Sequence, residues 1–206
     1  PIAVMHAQCQ VSREVAEKKQ DKEAIKSIEV FERQTNRMKN LVDQLLQMTA
    51  IDRKGTTFSI EDIDVRDVIE SACDDIAYID TKHITFEYSL QPTIIQANMN
   101  LIYIVINNLL SNAVKYSNEG AKIYVSCGEK DGKSYIRIQD EGCGIEKENI
   151  SKIFESFYRE KKDRNAEGFG LGLSQAMKIA ELYGGGIYVE STKNKGSIFT
   201  FFIPKP

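Results

Sequence analysis

The first 52 residues contain no glycine and, after Pro1, no proline, while all thirteen glycines of the 206-residue chain stand at Gly55 or beyond. A stretch free of both residues that punctuate backbone must run as long regular elements, and its apolar spacing decides which kind. Ile28, Phe31, Thr35, Met38, Val42, Leu45 and Thr49 recur at alternating steps of three and four, and Ile25, Leu41 and Leu46 widen the stripe. That period predicts a long helix of bundle or coiled-coil type. A shorter helix precedes it, with Ile2, Met5, Cys9 and Ala16 near one face, and the polar run Glu17 to Lys22 is the predicted turn between them. Two helices do not close a core, so the pattern predicts a homodimer through residues 1–52, paired as a four-helix bundle; a hairpin packed on its own chain is the alternative.

The segment Asp52-Arg53-Lys54-Gly55 ends the helical pattern, and residues 53–58 read as a linker to a second domain over 59–206. There the sequence predicts strands at Thr56–Ile60, Ile84–Leu90, Lys122–Cys127, Ser134–Gln139, Ile187–Glu190 and Ser197–Ile203. It predicts helices at Val65–Tyr78 with Asp64 as N-cap, at Asn98–Tyr116, at Leu171–Tyr183, and a short one near Glu146–Ile153. Gly184-Gly185-Gly186 is a strong helix stop. The order argues an α+β fold: a helical hairpin, then an α/β sandwich whose mixed sheet is covered on one face by helices.

Composition narrows the function classes. Net charge is only −3, which gives no nucleic-acid footprint. The four cysteines (Cys9, Cys73, Cys127, Cys143) form no C-x-x-C pair, which points away from a disulfide framework or zinc site and toward a reducing cytoplasm. No run approaches the roughly 18 apolar residues of a membrane span.

Three glycine- and amide-rich motifs carry chemistry. Asn108, Asn112, Lys115 and Tyr116 share one face of a predicted helix whose other side is densely apolar. Amide oxygens suit Mg²⁺ and an ammonium suits phosphate, although an ordinary solvated face fits this pattern equally well. Asp140-Glu141-Gly142-Cys143-Gly144-Ile145 follows an apolar strand; a carboxylate there accepts a hydrogen bond from an exocyclic amine, and a simple turn is the alternative. Gly168-Phe169-Gly170-Leu171-Gly172-Leu173-Ser174 opens a helix, so its backbone N–H groups can cradle phosphates, with a flexible hinge as the alternative; its spacing is neither that of a P-loop nor of a Rossmann turn. Between the last two, Ile153 to Arg159 places aromatic anchors before an almost wholly polar run over 160–167, the composition of a lid or of a solvated loop. Arg159 is within reach of a phosphate on that reading.

In this order the motifs resemble the catalytic domain of sensor histidine kinases, in the superfamily shared with gyrase, Hsp90 and MutL. Asn108–Tyr116 resembles the N box, Asp140–Ile145 the first glycine box, Phe154–Arg159 the F box, Gly168–Leu173 the second glycine box, and Gly196-Ser197-Ile198-Phe199 the final glycine segment. Glu141 departs from the amide or hydroxyl common at its position. The resemblance implies ATP and Mg²⁺ as cofactors, with Asn112 and Asn108 on the metal and Asn108, Lys115 and Arg159 as the catalytic set. It implies nucleotide contacts from those residues and from Tyr116, Asp140, Gly142, Gly144, Ile145, Phe157, Gly168, Gly170, Leu171, Gly172 and Leu173. Hydrolysing members carry a glutamate where Asn108 stands, and an amide is no general base, so phosphoryl transfer to another acceptor is favoured over a clamp-type ATPase or a degenerate scaffold.

By the same resemblance, residues 1–52 are the dimerisation and phosphotransfer hairpin. The acceptor histidine is expected upstream of Pro1, because Ala7 follows His6 where an acid is usual. The fragment would then not autophosphorylate alone. The implied partner is a response regulator receiver domain, with no nucleic acid, no membrane contact in this stretch and a membrane-anchored parent.

Overall fold

The computed structural model describes residues 2–53, 58–160 and 168–205, and the chain divides into two compact units, Pro1–Asp52 and Arg53–Pro206. The first is a helical hairpin of α1 (Ile2–Lys18) and α2 (Lys22–Asp52). The turn is tighter than the polar run suggests: Gln20 adopts φ 54°, and Asp21 Oδ1 caps α2 by accepting from Ala24 N at 3.0 Å. Among the described residues of this unit only Ala16, Thr35 and Met48 are buried, while Phe31 and Leu46 remain 64% and 62% exposed. The apolar stripe of α2 is therefore largely uncovered by α1.

The second unit contains β1 (Glu61–Asp64), α3 (Val65–Ile79), β2 (Thr85–Leu90), β3 (Ile94–Ala97), α4 (Met99–Tyr116), β4 (Lys122–Lys130), β5 (Lys133–Asp140), α5 (Gly172–Leu182), β6 (Gly186–Thr192) and β7 (Gly196–Pro204). Five strands form one sheet in the order β2-β4-β5-β7-β6; β2 and β4 are parallel and the other neighbours antiparallel. The sheet is thus mixed. Strands β4 and β5 meet at Asp131-Gly132, both at positive φ (52° and 71°), the backbone of a tight two-residue hairpin. Alternation gives one buried face, with Ile123, Val125, Ile136, Ile138, Phe199 and Phe201 inward. Helices α3, α4 and α5 pack side by side, and α4 buries Leu101, Ile102, Val105, Ile106, Leu109, Leu110 and Ala113.

Three local expectations change. Of the strand expected at 56–60, residues 56 and 57 lie outside the described residues, and 58–60 are irregular. The strand begins at Glu61 instead, and its acidic sequence hides it: only Ile63 turns inward, opposite Ile95 of β3, in a separate two-stranded ladder. The short helix near Glu146–Ile153 is a run of turns with one 3₁₀ turn, Lys152–Phe154. Strand β3 has no counterpart in the sequence reading, because four residues after Pro92 carry too little alternation.

Both α3 and α4 start on side-chain caps. Asp64 Oδ1 accepts from Arg66 N at 3.0 Å, and Asn98 Oδ1 from Leu101 N at 3.2 Å. Asn98 Nδ2 also reaches Ser59 Oγ at 3.0 Å. Asn98→Ala removes both links and should lower unfolding stability by about 1–2 kcal/mol, read from urea denaturation; an unchanged midpoint would show that the cap contributes nothing.

Candidate functional site

The site is assembled at one end of the sheet, where β5 finishes beside the last turn of α4. Asp140 closes β5, the middle strand, and is 5% exposed. Its Oδ1 accepts two backbone hydrogen bonds, from Gly142 N at 2.8 Å and from Ser197 N at 3.2 Å. Its Oδ2 accepts none from the described residues. Burial raises the Asp140 pKa above its ordinary value, and the two backbone donors only partly offset this.

The glycines after Asp140 stand where other backbone comes too close for a side chain. A Cβ on Gly142 would lie 2.5 Å from Tyr116 O, the carbonyl that accepts from Cys143 N at 3.3 Å. Gly196, at φ +96°, passes so near Asp140 that a Cβ would stand 2.0 Å from its carbonyl oxygen. Ile145 N donates to Ser191 Oγ at 2.8 Å, and Ser191 Oγ lies 3.0 Å from Ser197 Oγ. Together these bonds tie the loop after β5 to the β6–β7 hairpin and to the end of α4.

The amide face of α4 meets the second glycine segment. Asn108, Asn112, Lys115 and Tyr116 are half-buried along one side of the helix. A Cβ on Gly172, the first residue of α5, would stand 2.8 Å from Asn108 Oδ1, and Asn108 Nδ2 donates to Gln175 Oε1 at 3.4 Å. Lys115 Nζ lies 5.0 Å from the Tyr116 ring centroid and 3.7 Å from where a Gly168 Cβ would be. The Phe157 segment is clasped to the same loop: Phe157 N donates to Gly170 O at 2.9 Å, and Phe157 itself sits at φ 66°, 60% exposed. Leu171 is buried and its carbonyl accepts from Gln175 N and Ser174 Oγ, while Leu173 and Arg159 are half-buried.

The structure therefore gathers the Asn108 face, the Asp140 loop and the Gly168 loop, with Phe157 fastened to the last. Sequence reading missed Gln175, Ser191 and Ser197. Gln175 was hidden because one polar residue on an apolar helix reads as surface, yet it is 1% exposed. Ser197 did stand beside Gly196 in the final glycine segment, without a role; that motif was the available signal.

The donor set suits a nucleotide with a divalent ion. Asp140 is a largely buried carboxylate whose Oδ2 takes no hydrogen bond from the described residues. Among the described residues no group of three or more His, Cys, Asp or Glu side chains is placed to hold an ion. Neutral amide oxygens suit a Mg²⁺ ion that takes its remaining ligands from phosphate and water.

Residues 97–206 match the family described as histidine kinase-, DNA gyrase B- and HSP90-like ATPase. The chain belongs to this family. The sensor histidine kinase WalK of Bacillus subtilis is 34% identical over 181 residues, covering 85% of this chain and 30% of that protein. The signal transduction histidine-protein kinase AfsQ2 of Streptomyces coelicolor is 31% identical over 173 residues, 84% of this chain and 31% of that protein. The chain thus spans about a third of the length of the curated relatives it matches. Among solved structures, the mycobacterial sensor histidine kinase MprB superposes with TM-score 0.65 at 25% identity, over 72% of this chain and 99% of that one. Full-length ShkA, solved in complex with AMPPNP, gives TM-score 0.81 over 98% of this chain and 43% of that one; at 20% identity this is a likeness of fold alone. The second unit is an ATP-binding domain of the histidine kinase type. None of the described helices is long and apolar enough to cross a membrane.

Gly196→Ala should cost at least about 2 kcal/mol in urea denaturation, since it adds a clash to left-handed strain. Gly120→Ala is the control: its φ is +71° but nothing lies within 4 Å of a Cβ there, so it should cost only about 1–2 kcal/mol. Equal losses would show that the approach to Asp140 is not tight.

Proposed function

We propose that this chain binds Mg·ATP where α4, the Asp140 loop and the Gly168 loop meet, and that it serves as the catalytic part of a sensor histidine kinase. The observation that carries the reading is Asp140: a buried carboxylate with one oxygen saturated by backbone and the other open. That oxygen accepts from the adenine amine. Tyr116, Gly142, Gly144 and Ile145 form the walls around the base, and Phe157 anchors the rim. Asn112, with Asn108 beside it, supplies amide oxygen to the metal, whose bound charge offsets that of the phosphates. Lys115, Arg159 and the N–H groups from Gly168 through Leu173 face the phosphate chain.

In this arrangement the protein positions the γ-phosphoryl group and stabilises its charge; it contributes no covalent chemistry of its own. Asn108 supports transfer rather than hydrolysis, because an amide does not take a proton from water at neutral pH. The acceptor is a histidine on the helical module of the parent protein, and the phosphoryl group passes from there to an aspartate on a response regulator. The uncovered Phe31, Met38 and Leu46 on α2 support pairing of residues 1–52 with a second copy.

The decisive experiment joins binding to stability. Asp140→Asn keeps an oxygen for Gly142 N and Ser197 N but puts an amine where adenine's amine must donate. ATP affinity should fall about a hundredfold, while wild type binds in a Mg²⁺-dependent manner and releases no phosphate steadily. The stability effect has the opposite sign. A carboxyl whose folded pKa is raised carries its cost only when ionised, so the cost is absent in acid and grows as pH rises through that raised pKa. The nucleotide-free variant should therefore match wild type in acid and equal or exceed its Tm at neutral pH. Retained affinity in Asp140→Asn would refute the adenine contact, and steady hydrolysis by wild type would refute the transfer reading.

A further inference from the structure

Four of the five carbonyls that close α4 are satisfied from outside the helix, and one side chain takes three of them. Lys82 Nζ donates to Val114 O at 2.9 Å, Lys115 O at 2.7 Å and Ser117 O at 2.8 Å. An ammonium has three protons, and all three are used here. Ala113 O accepts from Ser117 N at 3.1 Å, and Tyr116 O accepts from Cys143 N at 3.3 Å. Every carbonyl from Ala113 to Ser117 is thus occupied: one by the helix's own cap, three by Lys82, and one by the loop after Asp140.

Lys82 is held in turn. Its N–H donates to Asp80 Oδ1 at 2.9 Å, and Ile84 N to Asp80 Oδ2 at 2.7 Å. Its carbonyl accepts from Gly120 N at 2.8 Å, and His83 takes φ 54° so that the chain can turn into β2. The loop between α3 and β2 therefore works as a fixed plug on the negative end of α4.

We propose that Lys82 is a positioning residue for nucleotide binding, an inference that rests on the nucleotide reading of the site. It touches no ligand. Lys115 and Tyr116 occupy the turn it clamps, and the Tyr116 carbonyl is the only one of the five left to the Asp140 loop. Without the ammonium the last turn frays. The phosphate-facing Lys115, the Tyr116 ring and the Cys143 hydrogen bond then lose their common register.

The test is ATP titration of the full chain beside thermal melting. Lys82→Met should weaken ATP binding about tenfold, more than its loss of Tm explains. Lys82→Arg keeps a cation with several donors and should recover most of that affinity. Tyr183→Phe removes the Asn98 N–H bond at the opposite end of α4; it lowers Tm without moving affinity. If Lys82→Met does not fold, Lys82→Gln takes its place, with a loss of roughly threefold. Wild-type affinity in the methionine or glutamine variant would overturn the proposal, as would an equal affinity loss in Tyr183→Phe. A wild-type chain that binds no ATP would overturn the nucleotide reading itself, which the Lys82 series alone does not touch.

Discussion

The site depends on one buried carboxylate. Asp140 stands at the end of the middle strand, and its Oδ1 is the shared acceptor of two amides that belong to different segments, the loop after β5 and the start of β7. Removing a charge from water is costly unless it is hydrogen-bonded, and two neutral donors offset only part of that cost, as the raised pKa shows. The fold thus carries an electrostatic penalty at neutral pH that packing alone does not explain. On the nucleotide reading, the penalty maintains an acceptor dry enough to discriminate one base amine from water.

Around that group the architecture is a set of close approaches. Tyr116 O against Gly142, Asp140 O against Gly196 and Tyr158 O against Gly170 each leave no room for a Cβ, while a Cβ on Gly172 would have to push the Asn108 side chain aside. Segments distant in sequence are brought within one backbone thickness of each other. The glycines are therefore packing devices in the fold itself, and on the nucleotide reading they offer N–H groups to phosphate as well. Stability elsewhere, in the caps of α3 and α4 and the apolar face of the sheet, keeps those approaches in register.

Much of this was legible in the sequence where periodicity is long. The 18 residues of α4 alternate apolar and amide faces clearly enough to place Asn108, Asn112 and Lys115 together. Asp131-Gly132, an Asp-Gly pair between two strand-like runs, carries a hairpin signal of its own. Short or polar elements were not legible: Glu61–Asp64 is a strand with one inward residue, and Lys152–Phe154 is only a 3₁₀ turn. Nor was Lys82, because a lysine in a polar loop has no local signature. Its contacts exist only once the end of α4 lies beside it, 32 to 35 residues further along the chain. Contacts of that kind are set by tertiary folding, and no window of sequence contains them.

The central claim is that the open oxygen of Asp140 reads an exocyclic amine. The most direct measurement is a calorimetric titration of the wild-type chain with ATP and with ITP, which differ at that group of the base. ATP should bind at least about a hundredfold more tightly, because ITP presents a carbonyl oxygen to a carboxylate. Equal affinities for the two nucleotides would contradict the claim.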